Sequence, residues 1–185
     1  MSGIVDRASE RFRSRFGFDP EVVVRAPGRV NLIGEHTDYN EGFVFPVAID
    51  RWVVFAARPR SDSLAVVVSA AHDQEARFAV DRPVDSTGLW EDYPRGVLSE
   101  FQKAGHGITG FEAVLVGDVP VGAGLSSSAA VEMAVGKDWG LPPPIWNSHP
   151  TSHPVVAFML WRPSKTGVVT PLLRTWVFGQ PLGEG

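Results

Sequence analysis

The pattern of apolar and polar positions predicts short helices and strands over the first 136 residues. Ile4, Ala8, Phe12 and Phe16 recur at helical spacing, so an amphipathic helix is expected over residues 4–16. A second helix is expected over residues 97–104. Runs rich in valine and phenylalanine predict strands over residues 21–25, 43–46, 47–58, 64–71, 76–80 and 111–116. The first of these strands is expected to end at Pro27-Gly28.

One stretch combines a strand, a glycine turn and a helix start. After the strand at 111–116, the chain continues as Gly122-Ala123-Gly124-Leu125-Ser126-Ser127-Ser128-Ala129-Ala130. Glycine allows positive φ, serine is a favoured helix cap, and the following alanines suit a helix interior. Because a helix N-terminus offers free N–H groups and a positive dipole end, the stretch is a candidate phosphate site. On these residues alone, an ordinary capped helix is the simpler explanation, and no Gly-Lys-Ser/Thr follows to make a Walker A loop.

A second polar stretch lies nearer the N-terminus. Arg29, Glu35, His36 and Asp38 crowd a turn-rich segment. Carboxylates accept hydrogen bonds from hydroxyls and imidazole donates or accepts, so the cluster suits a sugar, while an arginine suits a phosphate. A polar surface loop with a capping Asp is the alternative. A metal site is disfavoured because no partner histidine lies nearby.

Composition narrows the classes of function. Hydrophobic residues make up 44% of the chain and charged residues 21%, as in ordinary soluble proteins. A net charge of −4 gives no electrostatic reason to expect nucleic acid or an anionic membrane. The chain has no cysteine, which suits a cytoplasmic protein. The first 15 residues are too charged for a signal peptide, and no apolar run approaches a membrane span.

The two motifs together resemble the galactokinase family. The galactokinase signature is matched by Arg25-Ala26-Pro27-Gly28-Arg29-Val30-Asn31-Leu32-Ile33-Gly34-Glu35-His36-Thr37-Asp38-Tyr39-Asn40. Residues 120–130 are similar to the phosphate-binding motif of the wider superfamily of galactokinase, homoserine kinase, mevalonate kinase and phosphomevalonate kinase. The first motif is long and specific, whereas the second alone supports only the superfamily. The resemblance covers residues 4 to about 136.

This resemblance implies a fold and a reaction. The fold would be α+β, a truncated N-terminal domain of the GHMP kinase fold, with a mixed sheet and helices on one face. The reaction would transfer the γ-phosphoryl group of ATP to the 1-hydroxyl of galactose with Mg²⁺. Glu35, His36, Thr37 and Asp38 would hold the sugar, and Arg29 would stabilise charge near the transferring phosphoryl group.

The resemblance also implies a nucleotide site. The residues that would cradle the ATP phosphates are Gly122, Ala123, Gly124, Leu125, Ser126, Ser127 and Ser128, with Ser128 also a candidate Mg²⁺ ligand. Trp90 falls where a family Trp borders the adenine, although a half-buried packing Trp explains it equally well. Ser69 falls where some galactokinases contact the nucleotide, with a solvent-facing strand serine as the alternative. His72 and His106 lie in turn-like contexts and are assigned no role.

The character of the sequence changes after Gly136. Residues 137–185 contain eight of the fifteen prolines and four of the six tryptophans. A family kinase would continue the helix, then supply a glutamate for Mg²⁺ and a Gly-Ile-Met-Asp-type segment with the catalytic aspartate. The acidic residues here, Asp138 and Glu184, lie in other contexts. We interpret residues 1–136 as a partial GHMP kinase N-terminal domain and residues 137–185 as an irregular, non-homologous tail from an interrupted reading frame. A genuine interaction tail is the alternative.

The chain thus carries a galactokinase identity, yet we expect it to be inactive without the base and the metal glutamate. A non-catalytic galactose- or ATP-binding regulator and an inert fragment are the alternatives. Galactose and ATP are the expected partners, with no nucleic acid, membrane or protein partner. Without the family's later helices, we expect residues 47–54 and 64–68 to expose apolar surface.

Overall fold

The computed structural model describes residues 3–33, 45–82, 86–103, 105–138, 159–163 and 169–173. The chain divides into two units, one of residues 1–28 and 49–144 and one of residues 29–48 and 145–185. Within the described ranges, no helix is long and apolar enough to cross a membrane. The helices and strands are α1 Ile4–Phe16, β1 Val22–Asn31, β2 Pro46–Pro59, β3 Leu64–Ser69, β4 Gln74–Ala79, α2 Asp92–Lys103, β5 Phe111–Gly117, α3 Ser127–Asp138, β6 Met159–Pro163 and β7 Val169–Leu173.

Five strands form one mixed sheet in the order β1-β2-β5-β3-β4. Strand β5 runs antiparallel to β2 and parallel to β3, and β4 runs antiparallel to β3. The parallel pair needs a long connection, which contains α2, whereas β3 and β4 are joined by a short turn. The predicted α+β class with a mixed sheet is therefore confirmed.

The helices cover both faces of this sheet, so the prediction of helices on one face is wrong in that respect. Val54, Ala56 and Val114 lie on one face and pack with Ala8 and Phe12 of α1. The neighbouring residues 53, 55 and 57 are also buried, at most 4% exposed, although they point the other way. Since the central strands are apolar on both sides, each side needs its own cover.

Helix α2 covers the second face. Phe111 lies opposite Ala65, and Ala65 lies opposite Phe78, so the three share this face. The guanidinium of Arg95 in α2 lies 5.0 Å from the Phe78 ring centroid. Helix α3 packs on α2. Gly136 of α3 lies so close to Val97 of α2 that a Cβ at Gly136 would stand 3.6 Å from a Val97 methyl group.

This double cover overturns the expected exposure of the sheet. Val53 and Val54 are 4% and 0% exposed, and residues 65–68 are between 0% and 7% exposed. Among the apolar residues of 47–54, Val47 is the exposed one, at 37%. The cover comes from α1 and α2, which both precede residue 104.

Several predicted boundaries hold, and others shift for clear reasons. Helix α1 has the predicted bounds and ends at Gly17, whose φ of 86° lets its N–H donate to the carbonyl of Arg13 at 2.8 Å. Strand β1 runs through Pro27-Gly28, because an edge strand tolerates a proline. Residues 46–59 form one strand that begins at Pro46. Of the strand predicted before this proline, over residues 43–46, residues 43 and 44 lie outside the described residues.

The segment after residue 137 contains a hairpin where an irregular tail was predicted. Strands β6 and β7 pair antiparallel, with Trp161 opposite Pro171. Both strands are edges of a two-stranded sheet, so Pro163 and Pro171 do not prevent pairing. The prolines, from which an irregular tail was predicted, are therefore compatible with strands over residues 159–163 and 169–173.

The carboxylate of Asp92 organises the loop that leads into α2. It accepts hydrogen bonds from the Ser86 hydroxyl at 2.6 Å, the Thr87 N–H at 3.0 Å and the Gly88 N–H at 2.7 Å. The Ser86 hydroxyl first, and then the backbone of Thr87, hold the pKa of Asp92 well below its ordinary value. Three turn groups therefore depend on one ionised side chain.

We expect the stabilising effect of Asp92 to disappear in acid. A carboxyl whose folded-state pKa is depressed stabilises the fold above its ordinary pKa of about 4 and loses that effect as the pH falls through the lower folded value. The urea midpoint of Asp92→Asn should lie below that of the unaltered chain at pH 7, and the gap should narrow steadily below about pH 4. A gap that stays constant from pH 7 to pH 2 would contradict this account.

We expect Gly110→Ala to destabilise the sheet, because an added Cβ would meet backbone on two sides. It would stand 2.5 Å from the carbonyl oxygen of Asp62 and 2.6 Å from that of Leu64. Overpacking of this kind costs about 1–3 kcal/mol. Gly107→Ala is the matched control, since nothing lies within 4 Å of its Cβ position. Equal unfolding free energies for the two variants in urea would contradict this prediction and show that the backbone near Asp62 and Leu64 moves to make room for the added methyl group.

Candidate functional site

The candidate phosphate loop joins the end of β5 to the start of α3, as the sequence predicted. Strand β5 ends at Gly117 and α3 begins at Ser127. Residues 120–124 are exposed, and Gly122 and Gly124 have φ angles of 76° and 70°. These angles lie in the left-handed region that glycine adopts without steric cost. The two glycines thus give the loop the turns it needs to reach the helix.

Ser126 is strained, which the sequence did not indicate. Its φ is 58°, although a residue preceding a helix usually has an extended backbone. Its carbonyl accepts the first helical hydrogen bond, from the Ala130 N–H at 3.0 Å. A non-glycine residue held in this region costs on the order of 1–3 kcal/mol. The surrounding contacts must therefore determine the loop conformation.

Two contacts hold the ends of the loop. At its start, the Asp118 N–H donates to the Trp52 carbonyl at 3.0 Å, and the Trp52 N–H donates to the Asp118 carboxylate at 2.5 Å. At its end, the Leu125 carbonyl lies 2.9 Å from where a Cβ of Gly28 would stand. Only glycine at position 28 allows this approach of strand β1 to the loop. The loop is thereby fixed against both β2 and β1.

The helix start offers the groups that an anion needs. Amides in the first turn of a helix have no intrahelical acceptor, which applies here to Ser127, Ser128 and Ala129. Both serines are half-buried. The positive end of the helix dipole adds to the attraction for a phosphate. The arrangement is chemically suited to bind a phosphate group.

Glu132 is a polar group near this helix start that the sequence analysis missed. It lies one turn beyond Ser128 in α3, on the same side of the helix. Burial raises the pKa of Glu132 above its ordinary value. An apolar setting for one glutamate in an alanine-rich helix could have been noticed from the sequence, because its neighbours Val131 and Met133 are apolar.

Trp90 and Ser69, the two further nucleotide-site candidates, lie in the same unit as the loop. Trp90 is half-buried in the turn before α2, and its indole N–H donates to the Gln74 side-chain oxygen at 2.9 Å. Ser69 ends β3 and is 4% exposed, so its interpretation as a solvent-facing serine is wrong. Ser69 is directly opposite Gln74 in the β3–β4 pair. Gln74 therefore links the two candidates.

These residues and the loop share one edge of the sheet. Ser69 lies opposite Leu115 in the parallel β3–β5 pair. The carboxyl ends of parallel strands point the same way, so β3 leads to Ser69 and β5 leads to the loop at the same edge. In open sheets, ligands commonly bind outside the carboxyl ends of parallel strands. The structure thus brings Ser69, Trp90 and the loop to a common edge.

Of the residues predicted to bind the sugar or to stabilise the transferring phosphoryl group, the structure describes Arg29 alone. Arg29 lies in β1 and is half-buried, within the second unit. Glu35, His36, Thr37 and Asp38 lie outside the described residues. Asn31, two residues beyond Arg29 on the same face of the strand, was missed by the sequence analysis. Within the described part of the chain, its buried side-chain oxygen has no hydrogen-bond donor.

The described residues do not form a metal site of their own. In those ranges, no three His, Cys, Asp or Glu residues are grouped so as to hold a metal ion. The predicted ligand Ser128 would offer a single neutral hydroxyl. Mg²⁺ prefers six oxygen ligands, commonly carboxylates, phosphates and water. The donor set that can be seen does not fit a resident Mg²⁺.

We expect Gly28→Ala to disturb the phosphate loop more than the sheet. The new Cβ would force back the Leu125 carbonyl, and the strained Ser126 follows directly. Amide hydrogen exchange should become faster across residues 119–126, with a loss of about 1–3 kcal/mol in the free energy of unfolding.

Gly117→Ala is the control for this experiment. Its Cβ would make only ordinary contacts, the nearest at 3.5 Å, in a neighbouring part of the same sheet. If both variants showed the same exchange in residues 119–126, the contact between Gly28 and Leu125 would not determine the loop conformation.

Two family models match this chain. The galactokinase galactose-binding signature matches residues 10–59, and the N-terminal domain of the GHMP kinases matches residues 92–137. A galactokinase from Roseiflexus sp. (strain RS-1) is 55% identical over 126 residues, which are 68% of this chain and 32% of the relative. The chain thus spans about a third of the length of that curated relative.

Solved structures agree with this assignment. The crystal structure of Lactococcus lactis galactokinase complexed with galactose superposes with a TM-score of 0.67 at 35% identity, covering 77% of this chain and 39% of the other. A mevalonate kinase superposes with a TM-score of 0.55 at 16% identity, covering 66% and 42%, and supports the fold alone. The described core therefore has the N-terminal GHMP kinase fold, and residues 10–137 are similar to the N-terminal part of galactokinases.

Proposed function

We propose that this chain binds galactose and ATP as the N-terminal part of a galactokinase. The reaction of the whole enzyme would be transfer of the ATP γ-phosphoryl group to the 1-hydroxyl of galactose. The observation that carries this proposal is the packing of Gly28, a residue of the galactokinase signature, against the loop at the start of α3. Through this contact, one residue of the signature supports the candidate phosphate loop.

ATP would be held at the sheet edge described above. Its phosphates would accept hydrogen bonds from the first-turn amides of α3 and from the hydroxyls of Ser126, Ser127 and Ser128, with the backbone of residues 122–125 beside them. Its adenine would stack on Trp90, near Ser69. Mg²⁺ would arrive with ATP and be held mainly by the phosphates, with Ser128 as the protein ligand that the family resemblance assigns.

Galactose would be held by Glu35, His36, Thr37 and Asp38. Carboxylates that accept hydrogen bonds from sugar hydroxyls contribute more than neutral acceptors, which favours these residues for specificity. Arg29 would act on the negative charge that develops during phosphoryl transfer rather than on the resting sugar. The side-chain oxygen of Asn31 adds one more acceptor close to Arg29 in the strand.

Binding without turnover is what we propose for the chain of 185 residues. Phosphoryl transfer depends on positioned charges and on a group that orients or deprotonates the attacking hydroxyl. The family's aspartate-bearing Gly-Ile-Met-Asp-type segment does not occur in residues 137–185. Both family models end by residue 137, which supports the interpretation of residues 137–185 as non-homologous to galactokinases.

The proposal is tested by calorimetric titration of galactose and of ATP into the chain. Asp38→Ala should weaken galactose binding by tenfold or more, since hydrogen bonds to charged groups contribute about 1.5–3 kcal/mol, and should leave ATP binding unchanged. Ser128→Ala should weaken ATP binding and leave galactose binding unchanged. Ser9→Ala in α1, which removes a hydroxyl that donates to the Val5 carbonyl, is the control.

The same samples test the absence of turnover. Incubation with galactose, ATP and Mg²⁺ should yield no galactose 1-phosphate above the level of an Asp38→Ala sample. Formation of product that depends on Asp38 would refute the proposed inactivity. Failure to bind either ligand would refute the proposed function and favour an inert fragment.

A further inference from the structure

The indole of Trp90 is fixed by two side chains from the turn between β3 and β4. Its N–H donates to the Gln74 side-chain oxygen at 2.9 Å. Its ring stacks on the imidazole of His72, with the planes 11° apart and the centroids 5.8 Å apart. Nearly parallel rings at this separation are offset, so the imidazole covers only part of the indole. Trp90 is half-buried, so part of its side chain remains exposed.

We propose that His72 and Gln74 are positioning residues that fix the plane of Trp90 for stacking with the purine base of the nucleotide. This inference rests on the proposed function, because it takes Trp90 as the adenine contact. It adds two residues with specific roles: His72 limits the tilt of the ring, and Gln74 limits its rotation about the side-chain bonds.

The turn that carries both residues is itself held in place. Asp73, between them, has a φ of 48°, which aspartate tolerates better than most residues. Its carboxylate pairs with Arg11 of α1 at 2.6 Å. Gln74 begins β4 opposite Ser69, the other nucleotide-site candidate. The turn is therefore tied to a helix on one side and to the sheet edge on the other.

The backbone of Trp90 is held by hydrogen bonds in the turn before α2. The Tyr93 N–H donates to the Trp90 carbonyl at 3.3 Å, and the Asp92 N–H donates to the Leu89 carbonyl at 3.0 Å. These bonds fix the Cα of Trp90 but leave its two side-chain torsions free. Immobilising such a side chain on binding costs about 0.5–1.5 kcal/mol, which corresponds to about a twofold to tenfold change in the dissociation constant. His72 and Gln74 remove this cost before the ligand arrives.

The experiment measures dissociation constants for ATP and for inorganic tripolyphosphate with the full 185-residue chain. Tripolyphosphate has the phosphates without the base, so it reports on the loop alone. His72→Ala and Gln74→Met remove the stack and the acceptor. His72→Phe and Gln74→Glu keep a flat ring and an acceptor oxygen. His106→Ala is the matched control, because this histidine contacts Phe101 rather than Trp90, and Trp90→Ala gives the full loss of the base contact.

We expect His72→Ala and Gln74→Met each to weaken ATP binding by about twofold to tenfold, with tripolyphosphate binding unchanged. His72→Phe and Gln74→Glu should restore ATP binding, and His106→Ala should match the unaltered chain. If Trp90→Ala weakens ATP binding while the His72 and Gln74 variants do not, the positioning role is overturned and the proposed function stands. If the unaltered chain does not bind ATP, or Trp90→Ala binds it equally well, the adenine assignment and this inference both fail.

Discussion

The close approach of Gly28 to the Leu125 carbonyl is the constraint on which the candidate site depends. A Cβ at position 28 would stand only 2.9 Å from that oxygen. It would also stand 3.1 Å from the Val119 side chain and 3.2 Å from the Ile49 side chain. Strands β1 and β2 and both ends of the loop therefore pack together at Gly28. The glycine does not turn the chain here. Its function is to let two backbones pack where any larger residue would separate them.

This packing explains how Ser126 retains its unfavourable backbone conformation. A loop free to relax would leave the left-handed region, because the strain there exceeds thermal energy. Here Leu125 is held by β1, and residue 127 is held by a helix that packs through Ala134 and Val135 into the core, both fully buried. Ser126, which lies between these two fixed neighbours, is therefore restricted in its φ angle. A conformation set before a ligand binds loses less entropy on binding, which favours affinity.

The sequence predicted the local parts of this fold well. Helix α1, strand β5 and the strand–glycine–helix order of the loop follow from periodicity and from the residues that turns and caps need. The course of β1 through Pro27 did not follow, because a proline is acceptable only on an edge strand, and strand order is set by distant pairing. The cover of both sheet faces was missed for a related reason. A continuous apolar run such as residues 53–57 indicates burial on two sides, and this signal was available but was outweighed by the expected fold.

The residues of the candidate site could be proposed from the sequence, but the residues that hold them in position could not. Its glycines and serines lie in one consecutive motif, and the family resemblance, rather than spacing alone, marks that motif as a candidate phosphate site. The partners of Trp90 lie 16 and 18 residues away in a turn with no motif, and only the pairing of β3 with β4 brings them near. The same holds for Asp118 and Trp52, which are 66 residues apart. Motifs identify the groups that would touch a ligand, whereas the groups that fix their geometry are chosen by tertiary packing and carry no signature of their own. For this reason a match to a family motif leaves the orientation of the site undetermined, and the contacts made by Gly28, Asp118 and Gln74 supply it.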